Sequence, residues 1–138
     1  MKILLPVFGM ADSKLIVDFV KNYHWPAQTV FKLVHVLGSI ANEAAVLEAQ
    51  KSATEFLSQV SLQLTGLVPE AEVSSEIISG EPTYEIIELA LKWKADMIVM
   101  GYRTRSDIQG FLAGSVSKGV VMQAPCSVAI IRPQVSSS

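Results

Sequence analysis

The segment that decides the fold is ADMIVMGYRTRSDIQGFLAGSVSKGVV, residues 95–121. It begins with a short apolar run, Met97 to Met100, which predicts a strand ending at Gly101. A polar loop follows, and Gly114 and Ser115 then open a helical pattern. This order is typical of an anion site, because the backbone amides at a helix start are unpaired and carry partial positive charge. The segment therefore predicts an α/β unit with an anion site beside its loop.

The rest of the chain alternates strand and helix patterns in the same way. Short apolar runs predict buried strands, and amphipathic segments between them predict helices. The predicted strands are residues 2–8, 29–37, 72–79, 96–100 and 126–131, and the long second helix spans about 42–65. Asp12 or Ser13 is predicted to cap the first helix, and Gly66 to end the second. The polar start of the third strand predicts a place at a sheet edge.

This alternation predicts one α/β domain, an open five-stranded parallel sheet with helices on both faces. In such sheets ligands bind beyond the carboxyl ends of the strands, where the strand order reverses. The chain has 138 residues, which suits one domain. Half of its residues are hydrophobic and 17% are charged, which favours a well-filled core over disorder.

Charge and cysteine content exclude several classes of function. The net charge is −2, so the large basic face of a nucleic-acid binder is not expected. No stretch approaches the roughly 20 apolar residues of a membrane span, and the N-terminal apolar run is too short for a signal peptide. The single cysteine, Cys126, excludes an intrachain disulfide and a multi-cysteine metal site. We therefore expect a cytoplasmic protein with neither a nucleic-acid nor a membrane partner.

The central segment resembles the nucleotide-binding signature of the universal stress protein family. Members that bind nucleotide carry Gly-x₂-Gly-x₉-Gly-Ser/Thr, and here Gly101, Thr104, Gly114 and Ser115 stand at those positions. The resemblance covers the whole chain. It also rests on Ile3 to Val7, Leu33 to Val36, Gly80 to Pro82 and Ala124 to Val128.

The resemblance implies the strand order 3-2-1-4-5 of an adenine nucleotide alpha hydrolase-like fold, with the reversal between the first and fourth strands. It implies a universal stress protein domain over residues 1–133, and residues 134–138 are expected to be a flexible tail. Members of the family are often homodimers, so we expect pairing through the last strand, Cys126 to Ile131. An unknown protein partner is also expected.

The resemblance further implies a site for ATP or AMP, with magnesium accompanying ATP and no protein ligands to a metal. Backbone amides of Gly114, Ser115 and Val116 would hold phosphate. The guanidinium groups of Arg103 and Arg105 also suit phosphate oxygens. The predicted cofactor-binding residues are Pro6, Val7, Phe8, Val36, Met100, Gly101, Arg103, Thr104, Arg105, Gly114, Ser115 and Val116.

Two positions depart from the ATP-binding pattern. Thr104 replaces the second signature glycine, and a β-branched residue resists positive φ at a cost of about 1–3 kcal/mol. Phe8 stands where nucleotide-binding members usually carry an aspartate that helps hold the nucleoside, and it offers no acceptor. Two hypotheses follow. The chain is either a stress-response regulatory domain that binds ATP or AMP weakly, or a dimeric protein-interaction module whose pocket is closed.

No residue pattern predicts catalysis. The sequence contains no Walker loop, and no Ser-His-Asp or Cys-His constellation can be assembled from it. His35 lies between two valines and is interpreted as a core or sheet-end histidine. Slow nucleotide hydrolysis is the least favoured hypothesis, because no residue is a convincing general base.

Overall fold

The computed structural model describes residues 1–38, 42–102 and 114–133. Arg103, Thr104, Arg105 and the predicted tail at 134–138 lie outside the described residues. In chain order the elements are β1 (Lys2–Pro6), α1 (Met10–Lys21), β2 (Val30–Leu37), α2 (Glu43–Leu67), β3 (Glu72–Ser79), α3 (Pro82–Trp93), β4 (Met97–Gly101), α4 (Ser115–Gln123) and β5 (Ser127–Ile131).

The strands form one parallel sheet with the order β3-β2-β1-β4-β5, which confirms the predicted topology. The polar strand β3 lies at one edge, as its composition predicts, and β5 lies at the other. β1 pairs with β2 on one side and with β4 on the other. The strand order reverses between β1 and β4, so the turns after these two strands meet at the switch point where ligands of such sheets bind.

The sheet separates two hydrophobic cores, because alternate residues of a strand point to opposite faces. The first core contains Leu5 and Phe31 with residues of α1 and α2. The second contains Leu4 and Ile98 with residues of α3 and α4. β1 is buried on both faces, which explains its continuous apolar run.

Two predicted helix ends are wrong. α2 does not stop at Gly66 but continues to Leu67. Gly66 is exposed, and the amide of the buried Val68 still donates to the Leu64 carbonyl at 2.9 Å. Burial of Leu64 and Val68 therefore extends the helix past Gly66, where an added Cβ would meet only open space. α1 begins at Met10, ahead of the predicted caps.

Gly119 allows α4 to lie close against α3. A Cβ at Gly119 would lie 2.8 Å from Cγ2 and 3.1 Å from Oγ1 of Thr83. Thr83 is β-branched and sits in a helix, where its χ1 is restricted, so it cannot easily move aside.

We expect Gly119→Ala to destabilise the fold by about 1 kcal/mol, since overpacking outweighs the gain in helix propensity. Urea unfolding measures this change. In the Thr83→Ala background the same substitution should become neutral or stabilising. Equal destabilisation in both backgrounds would show that the contact with Thr83 is not the cause.

Candidate functional site

Asp12 closes the turn between β1 and α1. Its side chain is 3% exposed, and its two oxygens accept hydrogen bonds from the amides of Phe8 at 2.7 Å and Gly9 at 2.8 Å. The carboxylate of Asp12 therefore occupies the start of α1, at the switch point. Asp12 does this from the first turn of the helix and not from the predicted cap position, which Gly9 fills.

His35 holds the same turn from β2. Its Nδ1 lies 2.9 Å from the carbonyl oxygen of Val7. A carbonyl can only accept, so Nδ1 carries the hydrogen and donates it. The imidazole ring also packs edge-on against Phe56, with ring centroids 5.2 Å apart. Burial lowers the pKa of His35, while the Val7 carbonyl and the charge of Asp12 act in the opposite direction.

The lowered pKa makes stability depend on pH. The unfolded chain, with an ordinary histidine pKa of 6.5, binds the proton more readily than the folded chain. The contribution of His35 is therefore complete above that value and is lost as the pH falls toward the folded pKa. We expect the loss of unfolding free energy between about pH 7.5 and about pH 5.5 to be smaller in His35→Asn than in the wild type.

Urea unfolding at the two pH values measures this difference, and carboxylates shared by both proteins cancel from it. His24→Asn is the matched control, because His24 is exposed. The control should keep the wild-type pH dependence. A His35→Asn protein with the same pH dependence as the control would show that His35 does not contribute.

The start of α4 differs from the other helix starts. Side chains of Asn42 and Glu81 accept amide hydrogens at the starts of α2 and α3. In α4 the N-cap is Gly114, and the described first turn contains no acidic residue. Gly114 has φ 77°, in the left-handed region that favours glycine. Within the described residues, therefore, no acidic side chain in the first turn offsets the positive end of this helix dipole.

A cavity of about 630 Å³ opens beside the start of α4. Among the described residues, two cationic side chains border it, Lys118 from α4 and Arg132 directly after β5. The Arg132 guanidinium lies 4.2 Å from the ring centroid of Tyr102, so the ring positions it. The lining is Tyr102, Gly114, Ser115, Ser117, Lys118, Val121, Met122, Ile130 and Arg132.

The structure brings two of the predicted site residues, Gly114 and Ser115, to this cavity. Val7, Val36, Met100 and Val116 are buried, so none of the four offers an exposed side chain to a ligand. Pro6 is buried at the end of β1. Whether any of these residues contacts a nucleotide stays a prediction.

Phe8 and Gly101 have packing roles at the switch point. Phe8 is half-buried and packs against the second core, which contains Val36 and Met100. A Cβ at Gly101 would lie 3.1 Å from Cβ of Asp12, so glycine lets α1 approach the end of β4. Gly101 is thus accounted for by packing, independently of any phosphate.

Sequence reasoning missed the aromatic and cationic residues that the structure places at the cavity, Tyr102, Lys118 and Arg132. For Tyr102 and Arg132, only the parallel order of the strands could have predicted that they lie together. Tyr102 follows β4 and Arg132 follows β5, so the two residues meet at the same edge of the sheet. The backbone confirms this, since the amide of Tyr102 donates to the carbonyl of Ile131 at 2.8 Å.

No group of three or more His, Cys, Asp or Glu side chains is placed to hold a metal ion within residues 1–38, 42–102 and 114–133. In the same ranges, no helix is long and apolar enough to cross a membrane.

Residues 1–132 match the sequence profile of the universal stress protein family. A universal stress protein of Methanothermobacter thermautotrophicus is 30% identical over 95% of this chain and 94% of its own length. Universal stress protein MJ0531 of Methanocaldococcus jannaschii is 29% identical over 78% of this chain. A Thermus aquaticus relative is 33% identical over 62% of this chain. The matches span 55% and 62% of the length of these last two relatives.

Solved structures share the fold. The universal stress protein of Archaeoglobus fulgidus in complex with dAMP has a TM-score of 0.66 and 21% identity, covering 95% of this chain and 97% of that one. A universal stress family protein of Arabidopsis thaliana with AMP bound has a TM-score of 0.69 and 18% identity, covering 98% and 93%. At these identities the likeness shows the fold alone.

Proposed function

This chain belongs to the universal stress protein family, and from that premise we propose that it is a cytoplasmic regulatory domain of the stress response that binds an adenine mononucleotide. The observation that carries the proposal is the start of α4. Its N-cap is Gly114, its first turn has no acidic residue, and it opens into a cavity of about 630 Å³. The volume lies within the range of small-molecule sites.

The phosphate is placed at the backbone amides that begin α4. There the helix dipole favours an anion. Lys118 and Arg132 line the same cavity and add two positive charges to it. Arg132 offers a planar guanidinium that forms paired hydrogen bonds with phosphate oxygens. Lys118 and Arg132 therefore supply positive charge from the described residues, independently of Arg103 and Arg105.

The choice of an adenine mononucleotide is supported by the relatives. One family member has been solved with dAMP and another with AMP. AMP is therefore the first ligand to test, with ATP and magnesium as the second. Phe8 offers the nucleoside no hydrogen-bond acceptor in its side chain, so we expect weak binding.

Thermal unfolding with and without ligand tests the proposal. A ligand that binds only the folded state stabilises it by about 2.7 kcal/mol at a hundredfold excess over its Kd. Millimolar AMP should therefore raise the melting temperature by several degrees, and Mg-ATP should do the same to a smaller or equal extent. An unchanged melting temperature with both ligands would favour the alternative, a protein-interaction module with a closed pocket.

Dimerisation through β5 is a second proposal, supported by a different observation. β5 is an edge strand of the sheet. On the neighbouring helix α4, Val121 is 51% exposed and Met122 is 77% exposed. No other described strand pairs with the outer edge of β5, and such an edge bordered by exposed apolar side chains suits an identical strand from a second copy. Sedimentation at micromolar concentration should give a dimer, and a charged Val121→Lys variant should give a monomer. A monomeric wild type would overturn this proposal.

A further inference from the structure

The peptide unit between Val7 and Phe8 is held at both ends by side chains from two other elements. Its carbonyl oxygen, on Val7, accepts from Nδ1 of His35 at 2.9 Å. Its amide, on Phe8, donates to Oδ2 of Asp12 at 2.7 Å. His35 belongs to β2 and Asp12 to α1. Rotation of this peptide plane would break both hydrogen bonds at once.

The hydrogen bonds replace strand pairing at the point where it stops. The Val7 amide still donates to the carbonyl of Val34 at 2.9 Å, in continuation of β1. β1 itself ends at Pro6, and beyond the Val7 amide the chain leaves the sheet. His35 and Asp12 therefore hold the first peptide that strand pairing does not hold.

Both partner side chains are themselves fixed. The second carboxylate oxygen of Asp12 accepts from the Gly9 amide at 2.8 Å, and the side chain is 3% exposed. The ring of His35 packs edge-on against Phe56, with an interplanar angle of 88°. Side chains held in this way transmit their position to the peptide they bind.

The orientation of this peptide sets the position of the Phe8 side chain. Phe8 packs against the second core beside the carboxyl ends of the strands. Its ring centroid lies 6.3 Å from that of His35. A rotated peptide would move the Phe8 ring relative to both.

We propose that Asp12 and His35 are positioning residues for the nucleotide site, which fix the Val7–Phe8 peptide and through it the Phe8 ring at the switch point between β1 and β4, where ligands of such sheets bind. This inference rests on the proposed function. A nucleotide bound there meets a preformed surface, and binding does not have to order the turn. Neither residue needs to touch the ligand for this role.

Three variants separate positioning from packing. His35→Phe keeps an aromatic ring beside Phe56 but removes the donor to Val7. His35→Asn keeps an N–H donor near the position of Nδ1. Phe56→Leu is the matched control, because it removes the ring contact of His35 and leaves the hydrogen bond in place.

Two measurements are made on each variant. Amide hydrogen exchange of Phe8, followed by NMR, reports on the peptide without any ligand. Calorimetric titration with AMP reports on the site. In His35→Phe we expect exchange of the Phe8 amide to accelerate about tenfold beyond any global change, and the Kd for AMP to rise about tenfold. His35→Asn should stay within about threefold of the wild type in both measurements.

The Phe56→Leu control separates the effect of the hydrogen bond from that of ring packing. Phe56→Leu should leave the Phe8 amide protected and the AMP affinity near that of the wild type. If Phe56→Leu and His35→Phe have equal effects, His35 acts by packing alone and the inference is wrong. If His35→Phe does not fold, Asp12→Asn provides the same two measurements from the other end of the peptide.

Failure of the proposed function gives a different result. A wild type that does not bind AMP would refute the nucleotide site, and the positioning role for the ligand would fall with it. The exchange measurement would still show whether His35 and Asp12 hold the peptide. Acceleration in His35→Phe without AMP binding in the wild type would thus separate the two claims.

Discussion

Asp12→Ala is expected to lower the free energy of unfolding by about 2–4 kcal/mol. The substitution removes the acceptor of two charge-assisted hydrogen bonds, and such bonds contribute about 1.5–3 kcal/mol each. The amides of Phe8 and Gly9 lose this partner at the start of α1, where loss of a cap also destabilises. The desolvation of the buried carboxylate offsets part of the effect, so the sum of the two bonds is an upper bound.

Urea unfolding monitored by circular dichroism measures the change. Asp18→Ala is the matched control, because Asp18 lies on the same helix and is exposed. The control should change stability by no more than about 0.5 kcal/mol. Equal effects of the two substitutions would mean that the carboxylate of Asp12 has no special role in the turn.

Ser115→Asp is expected to weaken AMP binding at least tenfold and to leave the fold intact. Ser115 is the first residue of α4 and lines the cavity. A carboxylate there repels the phosphate and takes up the positive potential of the helix start. The same charge stabilises the helix by about 0.3–1 kcal/mol, because an anion at a helix start is favourable. Binding and stability should therefore change in opposite directions.

Calorimetric titration with AMP and urea unfolding measure the two effects. Ser115→Asn is the control, since it has a similar size and no charge. It should bind AMP within about threefold of the wild type, apart from any contribution of the serine hydroxyl. If Ser115→Asp binds AMP as well as Ser115→Asn does, the phosphate does not lie at the start of α4.

The topology could be predicted from the sequence because each strand and helix carries its own local pattern. β3 is an example, since its predicted bounds of 72–79 and its edge position are both confirmed. Pro82 is another, since its fixed φ suits the first turn of a helix and it occupies the first turn of α3. The continuous apolar run of β1 required burial on both faces, and only a sheet covered on both sides provides that.

The site was less predictable because its contacts join distant residues. His35 was interpreted as a core histidine, yet its partner Val7 lies 28 positions earlier in the chain. Asp12 is a local exception, since it was interpreted as a cap and its carboxylate instead accepts from the Phe8 amide only four positions earlier. Arg132 had no local signal, since its contact with Tyr102 depends on the pairing of β4 and β5.

Gly101 and Gly114, the two retained glycines of the signature, each have a structural role. Gly101 allows Asp12 and Leu15 of α1 to pack against the end of β4. Gly114 adopts a positive φ at the start of α4. Both roles are structural and would persist in a protein that binds no nucleotide. The retained glycines are therefore explained by the fold, and nucleotide binding has to be measured directly.

That measurement is an NMR titration of the ¹⁵N-labelled protein with AMP. We expect saturable shifts that are largest at the amides of Gly114, Ser115 and Val116, where the phosphate is placed. Smaller shifts are expected at Phe8 and Val36, two of the other predicted site residues. Absence of shifts at millimolar AMP, or saturable shifts confined to other parts of the described chain, would contradict the account.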